Sequence, residues 1–262
     1  VTREPLFREI LGCGEDLVLL HGWGMSSRFM RPFAERLSER FRVTLIDLPG
    51  HGRSGLLADG GIASVAMAVL ARAPARAHWV GWSLGGLIAL QAAVLAPTAV
   101  RSLCFLAGSP RFVAATDWPG VEEAVLNRFA SDLHRDYGRT IERFLALQLH
   151  GMKDERPLLK ALRETLAGQA KPTEAGLAAG LAMLRGTDLR RAVSALHCPL
   201  LMLLGRRDRL IPAAVGPAVL ALNRGAAVAT LEDAAHIPFW THPDATLSAV
   251  AAFLERGVMV GG

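Results

Sequence analysis

The sequence predicts an α/β fold, a mostly parallel sheet flanked by helices, with an all-helical segment inserted between two of its strands. Short apolar runs alternate with amphipathic helical stretches along most of the chain, the pattern left by parallel strands joined through helical crossovers. Glycine-rich or polar punctuation follows most of these runs, where loops at the strands' carboxyl ends would carry chemistry. The stretch 111–187 departs from the alternation and holds helical patterns alone. A length of 262 residues suits one large domain or one domain with an insertion, and 51% hydrophobic against 20% charged residues supplies a sizeable core and excludes global disorder.

Taken in order, Leu17-Val18-Leu19-Leu20 is a buried-strand run ending at His21-Gly22-Trp23-Gly24, and Val43-Thr44-Leu45-Ile46 is another, ending in Asp47-Leu48-Pro49-Gly50-His51-Gly52. Ala77-His78-Trp79-Val80 leads into Gly81-Trp82-Ser83-Leu84-Gly85-Gly86 and a helix from about Leu87 to Leu95. Ser102–Leu106, Pro199–Leu204 and Ala227–Leu231 complete the strands. Inside the helical stretch, Pro119, Gly138, Asp154 with Pro157, and Pro172 with Thr173 mark helix starts or breaks. The expected division is therefore an α/β core from 1–110 and 188–262, with a helical cap at 111–187 lying over the strand ends.

A net charge of +5 points to an acidic partner or substrate, or equally to an Arg-rich and Ala-rich composition set by genomic base bias. No aromatic-studded basic cluster accompanies it, which argues against nucleic acid. Cys13, Cys104 and Cys198 are odd in number and widely spaced, so they read as buried, inert thiols of a reducing compartment. Val1-Thr2-Arg3-Glu4-Pro5-Leu6 lacks the plan of a signal peptide, although Val1 hints at a trimmed start. No apolar run reaches the roughly 20 residues that span a bilayer, so a soluble, cytoplasmic protein is expected.

The chemistry centres on Gly81-Trp82-Ser83-Leu84-Gly85. A serine between two such glycines, set between a strand and a helix, occupies a turn so tight that its hydroxyl stands exposed at the strand end. The helix that follows favours developing negative charge at its N-terminus. Ser83 is the expected nucleophile. Of eight histidines, His21 and His51 lie in glycine loops that they help to shape, His78 sits within a strand, His134 and His150 belong to the cap, His197 precedes a strand, and His242 precedes Pro243. His236 follows the last strand on a loop at the active end and is the expected base. Asp208, which follows the strand Leu200 to Leu204 through Gly205-Arg206-Arg207, is the expected acid that holds the histidine tautomer. Asp233 is the rival, expected to hydrogen-bond within its own loop, and Asp47 reads as a turn residue.

The backbone N–H of Leu84 is one expected oxyanion donor. His21-Gly22-Trp23-Gly24 resembles the other half of such oxyanion holes, with the Trp23 N–H as second donor. Trp23 and Trp82 are expected to wall the acyl pocket, the alternative being ordinary core aromatics. No metal pattern, dinucleotide fingerprint or phosphate-binding loop is found, so hydrolysis by water without a cofactor is expected.

From about Leu17 to Phe253 the chain resembles the α/β-hydrolases that act as pimeloyl-[acyl-carrier protein] methyl ester carboxylesterases of biotin synthesis. The matching stretches are Leu17 through Gly24, Asp47-Leu48-Pro49-Gly50, Gly81 through Gly86, and Thr140-Ile141-Glu142-Arg143-Phe144-Leu145-Ala146-Leu147-Gln148. The first three recur across α/β-hydrolases; the cap stretch is the specific one. The resemblance implies that Phe144 packs near the scissile ester, that Gln148 joins it in binding substrate, and that basic cap residues hold the acyl carrier protein. His51 stands where a Phe is familiar, and His150-Gly151-Met152-Lys153 departs from the family pattern.

The charge layout of the cap points the same way. At about 100° per residue, Arg139 and Arg143 fall on one helical side with Ile141, Phe144 and Leu145 turned away, and Arg156, Lys160 and Arg163 share a face opposite Leu158, Leu162 and Leu166. Arg139, Arg143, Arg156 and Lys160 are the expected docking residues. Solvated faces are the alternative, since Glu142, Asp154, Glu155 and Glu164 lie nearby. The expected function is release of methanol from a carrier-bound monomethyl ester. A general short-chain carboxylesterase and a ligand receptor of the same fold are the competing readings. Dehalogenases and epoxide hydrolases are disfavoured because they use Asp where Ser83 stands.

Overall fold

A computed structural model describes residues 6–258; the start of the chain, on which the signal-peptide reading rests, and residues 259–262 lie outside the described residues, as do the side chains of His134, Tyr137 and residues 256–258. Seven strands form one sheet: β1 Arg8–Leu11, β2 Glu15–Leu20, β3 Phe41–Ile46, β4 Ala77–Trp82, β5 Val100–Leu106, β6 Leu200–Gly205 and β7 Ala227–Leu231. Their order is β1-β3-β2-β4-β5-β6-β7, parallel except for β1, which pairs antiparallel with β3. The helices are α1 Ser27–Leu37, α2 Ile62–Leu70, α3 Leu84–Leu95, α4 Glu123–Arg135, α5 Tyr137–Leu149, α6 Glu155–Leu166, α7 Glu174–Gly186, α8 Arg190–Ser194, α9 Val215–Leu222, α10 Pro238–Thr241 and α11 Pro243–Val258. Helices α1 and α11 pack on one face of the sheet, and α2 and α3 with α8 and α9 on the other.

Strands covered on both faces need no polar alternation, which is why β4 and β6 are buried along their whole length. Each Leu or Val hidden in this way stabilises the fold by about 1.5–3 kcal/mol. Strand β1 was not expected from the sequence. Its Arg-Glu-Ile-Leu run is half-exposed at the sheet edge and offers no apolar run to read. Helix α3 begins at Leu84 rather than Leu87, directly after Ser83, and is buried on every side through Ala93. Small residues let it sit between the sheet and α2.

Between β5 and β6 the chain forms α4 to α8, but the stretch 111–187 is not purely helical as expected. Residues 111–121 form a compact turn held by the isolated bridges Val113↔Val121 and Ala115↔Trp118, while Arg111↔Asp188 joins the two stems. The stems are closed by the Arg111–Asp188 ion pair at 2.7 Å and by the Leu189 N–H donating to Pro110. Asp136 caps α5 and Thr173 caps α7 by accepting backbone N–H bonds.

Register sets where loops emerge. Chain order runs from β2 outward to β3 and then back across to β4, so β2 lies at the reversal point, and Leu20 sits opposite Gly81. Trp82 pairs with Leu106, Leu106 with Leu203, and Gly205 with Leu231. The loops after β2, β4, β6 and β7 therefore leave one edge of the sheet together.

Candidate active site

Ser83 is the sharpest backbone feature of the site, at φ 54° and ψ −116°. Non-glycine residues are rarely found there, at a cost of about 1–3 kcal/mol. The cause is crowding. A Cβ on Gly81 would lie 2.4 Å from the backbone of Gly85 and Gly86, and one on Gly85 would lie 2.5 Å from the Leu20 carbonyl oxygen. The strand, the helix and the neighbouring strand end thus meet through bare backbone, and the chain turns between them on the serine. Its N–H donates to Leu106, at the end of β5.

The other two groups arrive from β6 and β7. Ser83 Oγ–H donates to His236 Nε2 at 3.0 Å, and His236 Nδ1–H donates to Asp208 Oδ2 at 2.8 Å. Asp208 Oδ1 accepts the backbone N–H groups of Leu210 and Ile211 at 2.7 and 2.9 Å, so its loop fixes the carboxylate while leaving the other oxygen to the histidine. The histidine backbone is held from two sides: its N–H donates to the Gln148 carbonyl on α5, and its carbonyl accepts the Trp82 indole N–H at 2.8 Å. All three side chains are buried. Such a chain of hydrogen bonds can take a proton from the serine hydroxyl and stabilise the resulting imidazolium.

Asp233 lies outside this chain. It is exposed and pairs with Arg207 across the neighbouring loop at 2.6 Å, not within its own loop as expected. Strand β7 ends before it and the loop swings it outward. His242 stays on its own turn, where its ring meets the Thr241 hydroxyl.

Trp82 takes the core placement that the sequence left as its alternative: it has no exposed surface, packs against Phe29 and Phe239 beside the His236 ring, and anchors the histidine loop through its indole N–H. Trp23 sits edge-on to Phe144 at 4.7 Å, and its indole N–H donates to the Leu177 carbonyl on α7. Among the described residues no acceptor is found for the backbone N–H of Trp23 or of Leu84; Leu84 directly follows Ser83, and the loop that carries Trp23 leaves β2 beside the end of β4. Gln148 is fully buried, and neither its amide oxygen nor its amide nitrogen has a partner. A buried amide left unpaired costs about 1–3 kcal/mol.

The loops beneath Trp23 hold groups that the sequence marked only as shaping residues. Asp47 Oδ1 accepts the N–H of Ser27 and Oδ2 that of Arg53, tying the loop after β3 to itself and to the start of α1. His21 and His51 are both buried, with ring centroids 5.4 Å apart. Burial, with the neighbouring His21 as a lesser cause, pushes the His51 ring down to about 3, and burial likewise lowers His21. Aspartate and histidine in the Asp47 to Gly52 run were the only signal available for these contacts.

The basic residues of the insertion are exposed but unequal. Arg143 is paired with Asp132 at 2.7 Å, and Lys160 lies 3.9 Å from Glu164. Arg163 bridges to Glu142 on α5. Arg139 and Arg156 have no acidic partner among the described residues. A groove of about 250 Å³ runs beside Gly24, Met25 and Ser26 and is closed on the far side by Ile141, Leu145 and Leu166. Among the described residues no group of three or more metal-ligating side chains is assembled, and no helix is long and apolar enough to cross a membrane.

The sequence pattern of the alpha/beta hydrolase family matches residues 17–249. A pimeloyl-[acyl-carrier protein] methyl ester esterase from Methylococcus capsulatus is 49% identical, over 95% of this chain and 98% of its own length. One of the same name from Edwardsiella ictaluri is 44% identical, over 95% and 97%. Among solved structures, an esterase from Exiguobacterium antarcticum superposes with a TM-score of 0.85 at 20% identity, covering 95% of each chain, which is a likeness of fold.

Protonation of the buried histidines should make stability depend on pH. The folded His51 pKa lies below its unfolded value near 6.5, so the unfolded chain alone takes up the proton below that pH. Its contribution is complete above about pH 6.5 and falls by roughly 1.4 kcal/mol per pH unit as pH drops toward 3, with His21 acting in the same direction. Urea unfolding at pH 7, 6 and 5 should show the gap between wild type and His51→Gln closing at about that slope; a gap constant with pH would contradict a neutral buried ring.

Proposed function

The chain belongs to the alpha/beta hydrolase family, and from that premise we propose that it is a serine esterase that hydrolyses the methyl ester of pimeloyl-[acyl-carrier protein], releasing methanol on the route to biotin. It is a carboxylic ester hydrolase. The observation that carries the mechanism is the unbroken hydrogen-bonded path from Ser83 through His236 to Asp208 at the sheet's carboxyl edge. Near-full-length likeness to esterases of one printed name supports the substrate.

In this reading Ser83 Oγ attacks the ester carbonyl as its proton passes to His236 Nε2. The tetrahedral oxyanion is received by the N–H groups of Trp23 and Leu84. The intermediate collapses as His236 returns the proton to the departing methoxide, giving methanol and an acyl-enzyme. Water, deprotonated by His236, then attacks the acyl carbon, and Ser83 leaves with the proton. The product is the free carboxylic acid, still attached to its carrier. Asp208 keeps the imidazole in the Nδ1–H tautomer throughout and balances its positive charge.

Phe144 and Trp23 would hold the chain beside the ester, and the unpaired Gln148 amide supplies both a donor and an acceptor. Arg139 and Arg156, with Arg143 and Lys160, would meet the acidic carrier, and the groove next to Gly138 offers an apolar lane toward Gly24. The reaction would take place in the cytoplasm, where a carrier-bound substrate is found and the free thiols of Cys13, Cys104 and Cys198 persist. A general short-chain esterase is the second reading. The pairing of Arg143 with Asp132 favours it, because that cation is already partly neutralised.

Purified protein should release methanol from the carrier-bound methyl ester, and Ser83→Ala should abolish this while circular dichroism stays unchanged. Asp208→Asn should lower kcat by about 10⁴, and Asp233→Asn far less. The reverse order would reassign the acid. Reversing Arg139 and Arg156 to Glu should raise KM for the carrier-bound ester roughly tenfold at low salt, less at high salt, and leave a small p-nitrophenyl ester untouched. An unchanged KM for both would favour the general esterase. Gln148→Met should stabilise the free protein by about 1 kcal/mol in urea unfolding, because an unpaired buried amide is removed, yet raise KM for the ester. A variant no more stable and no weaker in binding would take Gln148 out of the substrate site.

A further inference from the structure

His21 and His51 have no place in the hydrolytic steps above, yet they are two buried rings set directly under the oxyanion loop. Their protonation states follow from their partners. Leu48 N–H, which can only donate, points at His21 Nε2 at 2.9 Å. That nitrogen must be an acceptor, so the proton sits on Nδ1, which donates to the Gly22 carbonyl at 2.8 Å. The same logic holds for His51. Gly24 N–H donates to its Nε2 at 3.3 Å, and its Nδ1–H donates to the Pro49 carbonyl at 2.9 Å.

The consequence lies in the peptide planes. Gly22 C=O and Trp23 N–H belong to one planar trans peptide and point in opposite directions. A donor seated on the Gly22 oxygen therefore fixes, and polarises, the Trp23 N–H on the other side. Met25 N–H adds a second, longer bond to the same oxygen at 3.3 Å. His51, holding Gly24 N–H, fixes the next peptide along, the one that begins with the Trp23 carbonyl. Both peptides that flank the Trp23 α-carbon are thus clamped from below by neutral imidazoles.

We propose that His21 and His51 are positioning residues for ester hydrolysis, a neutral pair in the Nδ1–H tautomer that aims and polarises the Trp23 N–H toward the oxyanion. This rests on the reading of Ser83 as nucleophile and Trp23 N–H as oxyanion donor. The charged groups facing the pair are Asp47, engaged by the N–H groups of Ser27 and Arg53, and each ring itself for the other. Protonating either Nε2 would set an N–H against an N–H and release the loop.

Two variants separate aim from simple packing. In His21→Asn the side-chain N–H falls where Nδ1–H lies and keeps the bond to Gly22; in His21→Gln the amide falls at Nε2 and keeps only the bond from Leu48. With a p-nitrophenyl ester, His21→Gln should lose about 10–100-fold in kcat with KM little changed, and His21→Asn should recover most of that loss. Affinity for a trifluoromethyl ketone, which forms a tetrahedral oxyanion on the serine, should fall in step with kcat. Equal kcat losses in the two variants, or ketone affinity unchanged, would overturn the proposal. Labelling of wild-type Ser83 by a fluorophosphonate separates the two claims. A labelled serine with equal losses removes only the histidine pair, and an unlabelled serine removes the nucleophile reading with it. Should either variant fail to fold, nitrogen-15 NMR of the wild-type rings decides: Nδ1–H tautomers that do not titrate between about pH 5 and 8 support the pair. An Nε2–H tautomer or titration near 6.5 overturns it.

Discussion

Backbone at the end of β4 approaches its neighbours so closely that no side chain fits between them, and most of the site follows from that contact. Strand, helix and the carbonyl of Leu20 converge on Gly81 and Gly85. The chain can pass between them only by placing Ser83 at positive φ, which turns its hydroxyl outward and leaves the Leu84 N–H free at the start of α3. The same contact draws the end of β2 against that of β4, so the His21 to Gly24 loop starts beside the proposed nucleophile. Local strain of about 1–3 kcal/mol at one residue is small against the burial of α3 and the sheet behind it. Rigidity at this point costs little because it is shared with the core.

The parts of the molecule governed by local pattern were legible in the sequence. Six strands announce themselves as apolar runs, the inner ones because burial on both faces demands it, and β7 although it is only half-buried at the sheet edge; strand–turn–helix around Ser83 is a short-range necessity. Asp208 and His236 could be chosen because the sheet topology restricts functional loops to one edge. What the sequence concealed depends on long-range placement. Strand β1 is recognised only by its partner β3. Trp82 lies two residues after Val80 on a strand whose faces alternate, and which face it takes cannot be read from its own type; it turned out to serve the His236 loop. The outward swing of Asp233 onto Arg207 depends likewise on a loop conformation that no periodicity encodes.

The helical insertion shows the same division more sharply. Its helices are recognisable one by one, but their seating is decided by a few bonds between distant segments. Thr173 N–H donates to the Gly50 carbonyl, and Trp23 Nε1–H to that of Leu177, fastening the start of α7 to the loops after β3 and β2. Charged pairs then set the helices against one another, as Arg163 with Glu142 and Arg143 with Asp132 do. Exposed pairs of this kind contribute little stability, so they orient more than they hold. A basic residue's availability to a partner is decided by that pairing, which helical periodicity cannot report. That is why Arg139 and Arg143, equivalent on a helical wheel, differ in the structure.

His236 joins the two bodies. Its carbonyl is held by Trp82 on β4 and its N–H by the Gln148 carbonyl on α5, so the proposed base is suspended between the sheet and the insertion. Gln148 therefore has two separate duties on one residue: its backbone seats the histidine, while its buried, unpaired amide waits for hydrogen-bonding partners. A ligand that satisfied the amide would pull on the same turn of α5 that positions the imidazole. Phe144, one turn earlier on that helix, meets Trp23, whose N–H is the proposed oxyanion donor. The turn from Phe144 to Gln148 thus touches both the proposed base and the loop of the proposed oxyanion donor, so a ligand seated against it would bear on both at once.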